Sequence, residues 1–483
     1  MLLTWLWLLP ALGALAAWAA PSRAARGVGI AWSAAVLAYS LWLLLPFSSG
    51  TGPLRLEELS GLSFHGIRYR LGVDGVSLSL CWLTALLTTL SLAASGVREE
   101  RPPAYWAAFL ALEASLMGVF TSQNLFYFYV FWDLSLIPMF FIIGLWGSQG
   151  RRFASIKFLL YTFAGSLALL IGIVWLAVLH ESATGAWTWD IPALARTPVS
   201  GCAAGWIFAL IALGFSVKIP LWPLHNWLPD AHTEAPAAGS VLLAGAMLKM
   251  GVYGFLKVLL PVFPVLAREA LPWMGLLGVV NILYGAVCAM AQTDLKRLIA
   301  FTSISHLGFC VVGIFSGRPE GLAGAALQML NHGLSTGGLF LLVGMLYERA
   351  HRRDIGDFGE LARTAPWFAF FFGFVLLSSI GLPGLNGFVG ELLALMGMAK
   401  ASPPLAALGA AGAVLAAAYA IPTYQKVFWA PAGPGSVSGK ISDMDRRERG
   451  ILWVLAALIL WIGIYPGPLL GILEPGVSAL VLR

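Results

Sequence analysis

Six ionisable side chains stand in stretches otherwise too apolar to hold them: Asp133, Lys218, Lys249, His306, His332 and Glu391. Inserting a charge at the centre of a bilayer costs about 2.5–3.5 kcal/mol, so each of these groups must face protein or water. One structural ion pair would account for two of them as a clamp between helices. Six groups spread over separate segments, each able to take or give up a proton, describe a relay instead. A carboxylate 4–7 Å from a buried amine contributes about 2–4 kcal/mol at an effective dielectric of 20. Movement of Asp133 toward or away from Lys218 is therefore expected to decide whether that amine keeps its proton. Glu113 and Lys157 carry less weight, since a packing contact and a snorkelling amine explain them equally well. His225, Asp230, His232 and Glu234 could suggest a metal, but they lie among Pro223, Pro229 and Pro236, where a capped turn between helices is the better reading.

The elements that must position these groups are membrane helices. Of 483 residues, 59% are hydrophobic and only 11% charged, against roughly 25% charged in a soluble domain, which excludes a soluble enzyme and a disordered chain. The net charge of +6 is small and scattered, so no nucleic-acid surface is expected. Cys81, Cys202, Cys288 and Cys310 lie singly, without the spacing of a zinc site, iron–sulfur cluster or redox pair. About 20 apolar residues span the hydrocarbon core. Such segments fall near 2–20, 28–47, 76–97, 104–122, 124–147, 153–179, 203–222, 237–259, 271–291, 297–316, 323–346, 367–400, 403–429 and 450–470, predicting an all-α polytopic membrane protein of about fourteen transmembrane helices. Loops after odd-numbered spans carry sixteen Lys and Arg, including Arg98, Arg101 and Arg353; the other side carries eight, including Arg483. The excess belongs in the cytoplasm, so both termini are predicted to be periplasmic. Residues 48–75 form an external loop, and the alternation from Ile67 to Val73 before Asp74-Gly75 predicts a short hairpin.

An internal repeat accompanies this layout. Lys218-Ile219-Pro220 interrupts the seventh span and Gly381-Leu382-Pro383-Gly384 the twelfth, five spans later. An odd offset inserts the second copy upside down, so spans 4–8 and 9–13 are expected to be two inverted five-helix repeats, each with one interrupted helix lining a cavity. The organisation is then 1–103 (spans 1–3 and the hairpin), 104–260 (first repeat), 261–430 (second repeat) and 431–483 (a cytoplasmic loop and the last span). Gly433 to Ile441 superficially matches a phosphate-binding loop, but Pro434 and Ile441 occupy positions that need glycine and serine or threonine.

Several motifs are specific. Val217-Lys218-Ile219-Pro220, the run from Leu224 to Pro236, Lys249 to Gly254, Gln292 to Ala300, Leu71 to Gly75 and Gly381 to Glu391 closely resemble the antiporter-like subunits of respiratory complex I, over about residues 70–430. Within that family, Glu391 in place of a lysine, and a chain that stops without a long lateral helix, resemble the subunit M branch. The resemblance implies a proton-translocating subunit of NADH:quinone oxidoreductase, in a bacterial plasma membrane, with no redox centre, cofactor or metal of its own. It also implies L-like and N-like subunits as neighbours on either side. Carried over by position, Asp133 and Lys218 are the controlling pair, Lys249 the central relay, His306 and His332 the continuation, and Glu391 the far end. Two positions depart from the pattern. Asp133 replaces the usual glutamate and is one methylene shorter, and Lys257 stands where arginine is commoner. A cation/proton antiporter or membrane-bound hydrogenase subunit shares the same motifs; a passive scaffold does not need the charges.

Overall fold

The computed structural model describes residues 1–49, 55–96, 102–197, 199–478 and 480. Among these, eleven helices are long and apolar enough to cross a membrane, or twelve if Arg446–Ile464 and Gly467–Ser478, bent by 75°, count as one span. Two shorter apolar helices, Thr4–Ala19 and Pro366–Ser379, complete the apolar segments. Arg98, Arg101 and Arg483 of the charge argument lie outside the described residues.

The exterior is apolar: Leu15, Trp42, Phe153, Leu160, Trp206, Trp273 and Val414 are all exposed. The centre is instead rich in polar groups, with Lys218, Lys249, Asn281, His306, Gln328, Asn331 and His332 buried. That inversion of the soluble pattern is what a lipid solvent demands. The most enclosed helix is Pro319–Ala350, whose membrane window is wholly buried; Ala237–Val262 and Leu295–Ile314 follow at 94%, while Ser22–Phe47 at 28% lies at the rim. Lys249, His332 and His306 belong to those three central helices.

Local chemistry sets the helix ends. Asp74 caps Gly75–Ala94 through a reciprocal box with Ser77, at 3.0 and 2.8 Å. Asn124 and Asp294 accept from the first-turn N–H groups of the helices that follow them. The hairpin differs from expectation in its turn. Strands Arg55–Phe64 and Ile67–Val73 pair antiparallel around His65-Gly66, both at positive φ. Asp74-Gly75 starts a helix, because the Asp-x-x-Ser box outcompetes the turn that Asp-Gly would otherwise favour.

Two helices break inside the bundle. Gly201–Lys218 ends before Pro220, and the chain resumes as Trp227–Glu234. Backbone groups freed there find protein partners: the Trp227 indole donates to Val217 C=O at 3.0 Å, and Asn281 Oδ1 accepts from Trp222 N–H at 2.7 Å. Pro366–Ser379 and Asn386–Ala401 flank the second break, where Gly381 and Gly384 take φ of 75° and 91°. Asn331 donates to Asn386 C=O at 2.7 Å across it. A one-residue interruption was not expected: the span carrying Asp133, Leu125–Trp146, loosens at Ser135, between Leu125–Leu134 and Leu136–Trp146. Ser135 Oγ bonds back to Trp132 C=O at 2.6 Å, and Pro138 cannot donate.

Candidate proton-transfer site

Ala237–Val262 is not a plain α-helix. Leu243–Met247 and Phe255–Leu259 are π-helical, with Leu248 N–H reaching back to Leu243 C=O at 3.1 Å. Such turns recur at functional sites because they disturb the regular carbonyl ladder. Lys249 sits just after the first one, wholly buried. Its Nζ meets Ala244 C=O at 2.5 Å and His332 Nδ1 at 2.6 Å.

From His332 the polar groups continue. The His306 ring lies 6.1 Å away, centroid to centroid. His306 Nδ1 contacts Glu391 Oε1 at 2.8 Å, and its Nε2 lies 3.1 Å from Ser379 Oγ and 3.5 Å from the Tyr419 hydroxyl. Gln328 Nε2 donates to the same Glu391 oxygen at 3.2 Å. Small residues make this approach possible: a Cβ on Gly324 would fall 2.4 Å from Ala394 N, and one on Gly397 would fall 2.5 Å from Gly321 Cα. Pro319–Ala350 and Asn386–Ala401 therefore pack nearly backbone to backbone.

Between the two histidines is a polar cavity of about 10 Å³, lined in part by Gln328, Asn331, Ser335 and Thr336. His332 Nε2, Gln328 Oε1, Asn331 Oδ1 and Thr336 Oγ1 are buried around it without protein partners. That is about the smallest space that admits a water, and its polar lining supplies the groups to bind one.

The other end is arranged differently. Lys218 is buried, with its Nζ 5.5 Å from the Trp132 ring and without a hydrogen-bond partner. Asp133 is the charged group whose field reaches it. No ion pair within 4.0 Å joins the two among the described residues; the Asp133 carboxylate accepts instead from the Ser166 hydroxyl. With its carboxylate on that hydroxyl, which belongs to Arg151–Thr184, Asp133 makes no direct contact with Lys218. The structure thus brings Lys249, His332, His306 and Glu391 into one row and leaves Asp133 and Lys218 apart.

Glu113 is buried, with both carboxyl oxygens unpartnered. Lys157 is held at 2.6 Å by Asp230, which also pairs with Arg297. Glu234 pairs with Arg353, which reaches Asp294 at 2.5 Å. His232 stacks on Phe340 at 4.5 Å, with neither ring nitrogen bonded. No group of three metal-ligating side chains is present among the described residues. Ser166, Gln328, Ser379 and Tyr419 escaped the sequence reading, because uncharged polar residues are common in membrane helices. Gln328 lies four residues before His332, on the same helix face, which was the available signal.

Comparison with known proteins identifies the family and the fold. Residues 122–416 match the family model described as NADH:quinone oxidoreductase/Mrp antiporter, TM. NADH-quinone oxidoreductase subunit M of Rhodobacter capsulatus is 39% identical over 469 residues, covering 96% of this chain and 91% of that protein. Its counterpart in Escherichia coli K12 is 37% identical, covering 97% and 96%. A chain of respiratory complex I from Thermus thermophilus superposes with a TM-score of 0.90 at 34% identity, over 99% of both chains. A chain of the Mrp complex from Dietzia shares the fold at a TM-score of 0.87 and 21% identity, over 100% of this chain and 98% of that one. With a family model over more than half of its length and relatives of this kind along nearly all of it, the chain belongs to the NADH:quinone oxidoreductase/Mrp antiporter transmembrane family.

Proposed function

We propose that this chain is a proton-translocating membrane-arm subunit of an NADH:quinone oxidoreductase, working beside other antiporter-like subunits in a bacterial plasma membrane. Electron transfer takes place elsewhere in such a complex, and this subunit converts a conformational or electrostatic signal into proton movement. The observation that carries the reading is the buried row Lys249, His332, His306 and Glu391, whose two histidines line a water-sized cavity. Each member can hold a proton and pass it to the next, and one water bridges the widest interval.

In this reading Lys218 switches the row. An amine without a local counter-charge repels protons on the groups beyond it, while an approaching carboxylate relieves that repulsion. Asp133, at present engaged by Ser166, is the carboxylate that would move. Fourteen crossings, with the two broken helices as counterparts in inverted repeats 4–8 and 9–13, are the topology this mechanism uses. The Lys and Arg bias puts both termini in the periplasm. Glu391, a carboxylate at the far end of the row, favours the oxidoreductase over the cation antiporter, given the family resemblance noted above.

The test is proton uptake by proteoliposomes carrying the assembled complex, with NADH oxidation measured in parallel. Lys249→Ala is expected to lower protons moved per NADH by about tenfold, because a low-dielectric gap replaces a relay site. An unchanged proton yield would exclude the role.

A further inference from the structure

The row just described gives Lys249 a connection sideways, toward Glu391. The structure also contains a route along the helix that carries it. At the hairpin end of the bundle is a cleft of about 450 Å³, bounded by Asp74, Gln123, Ile191, Tyr253, Lys257 and Gly476. Its floor is Tyr253, only 2% exposed, whose hydroxyl donates to Phe120 C=O at 2.9 Å. Tyr253 follows Lys249 by four residues within the regular α-helical stretch Lys249–Gly254, so their Cα positions share a face about 6 Å apart along the axis, while the Lys249 amine leans the other way, onto Ala244 C=O. Lys257 stands across the cleft, bonded to the Asp74 carboxylate and to Gly476 C=O at 2.5 Å. Its side chain is 15% exposed and that of Asp74 21%, so this ion pair lies between the cleft's interior and its mouth.

The opposite end of the same helix opens as well. A second cavity of about 410 Å³ is lined by Glu234, Ala237, Lys296, Tyr347 and Glu348. Ala237 lines one cavity and Pro261 the other, and Lys249 is twelve residues from each. A proton site midway along one helix, with a cavity at each end, has the layout of an alternating-access site.

We propose that the hairpin-side cleft is a proton outlet for Lys249, with Tyr253 at its inner end and the Asp74–Lys257 ion pair as its gate. Opening the pair admits water to Tyr253. The Lys249 side chain then swings from Ala244 C=O toward Tyr253 and passes one proton from its ammonium to water in the cleft, leaving a neutral amine and a hydrated proton; only N–H and O–H bonds change. A fixed clamp between Gly75–Ala94 and Gly467–Ser478 would use the same contacts, so the test must separate a gate from a clamp. The proposal rests on Lys249 carrying protons, which Lys249→Ala tests independently.

Lys257→Met is the informative variant, since it removes the ion pair but leaves Asp74 free to cap its own helix. In the assembled complex in sealed vesicles, a cysteine at position 253 (Tyr253→Cys) is probed with a membrane-impermeant methanethiosulfonate reagent from the hairpin face. Labelling is expected from that face, and at least about threefold faster when combined with Lys257→Met, because a charge-assisted bond no longer holds the gate shut. In the complex with Tyr253 intact, Lys257→Met is expected to lower protons moved per NADH severalfold, and Lys257→Arg to restore it. If Lys257→Met does not assemble, Asp74→Asn with Asp74→Glu as its rescue gives the same comparison. A cysteine at 253 that stays unlabelled from the hairpin face, with or without the ion pair, would overturn the outlet. Faster labelling without a fall in proton yield would overturn the gate.

Discussion

Lys249 Nζ and His332 Nδ1 lie 2.6 Å apart at the buried centre of the bundle. At that distance an ammonium donates directly to a neutral imidazole, and transfer of the proton simply exchanges which partner is charged. The Ala244 carbonyl, within the π-helical turn, holds the amine in place for this exchange.

His332→Gln keeps a polar side chain but cannot accept and release a proton at the same atom. It is expected to lower protons moved per NADH by about tenfold, while the complex still assembles, as judged by its content in solubilised membranes. His332→Ala adds a cavity and is expected to lower assembly too.

Asp133→Glu restores the family's carboxylate with one more methylene. Proton yield is expected to stay within about twofold of the parent, because the charge is kept and its reach toward Lys218 grows. Asp133→Asn removes the charge and is expected to uncouple proton movement from NADH oxidation. The ratio of the two rates in proteoliposomes checks both.

Ser166→Ala removes the hydroxyl that holds Asp133. A hydrogen bond to a charged group is worth about 1.5–3 kcal/mol, enough to change the balance between two carboxylate positions by a factor of ten or more. Proton yield is expected to fall severalfold in this variant, and Ser166→Thr to preserve it.

Gly324→Leu places a side chain where even a Cβ would fall 2.4 Å from Ala394 N. Separation of the two helices costs at least about 1–3 kcal/mol and draws Gln328 away from Glu391. A lower thermal midpoint of the purified complex and a reduced proton yield are expected together. Arg353→Ala, by contrast, loosens the tie to Glu234 and Asp294 far from the row. Its expected effect is about 1 kcal/mol of stability or less, since the side chain is a quarter exposed, with proton yield per NADH retained.

Much of this was legible in the chain itself. Lys218, Lys249 and Glu391 are conspicuous because a charge in an apolar run is energetically exceptional, and Pro220 and Gly381 mark the helix breaks because neither suits a helix interior. Helix order and the apolar lengths follow from the same hydropathy. What the sequence could not give is distance. Asp133 and Lys218 lie on different helices, and only the structure places Ser166 between them in function. The interruption at Ser135 was hidden because Ser135 and Pro138 lie inside an otherwise continuous apolar run. The Asp74-Gly75 pair misled because one dipeptide suits both a turn and a helix cap, and Ser77 decides between them.

The central claim is that the interval between His332 and His306 is hydrated. A density map of the assembled complex, at a resolution that shows individual waters, tests it most directly. The account predicts an ordered water within hydrogen-bonding distance of His332 Nε2 and at least one of Gln328 Oε1, Asn331 Oδ1 and Thr336 Oγ1. A cavity closed by side-chain contact, with those four atoms bonded to protein and no density between the imidazoles, would contradict it.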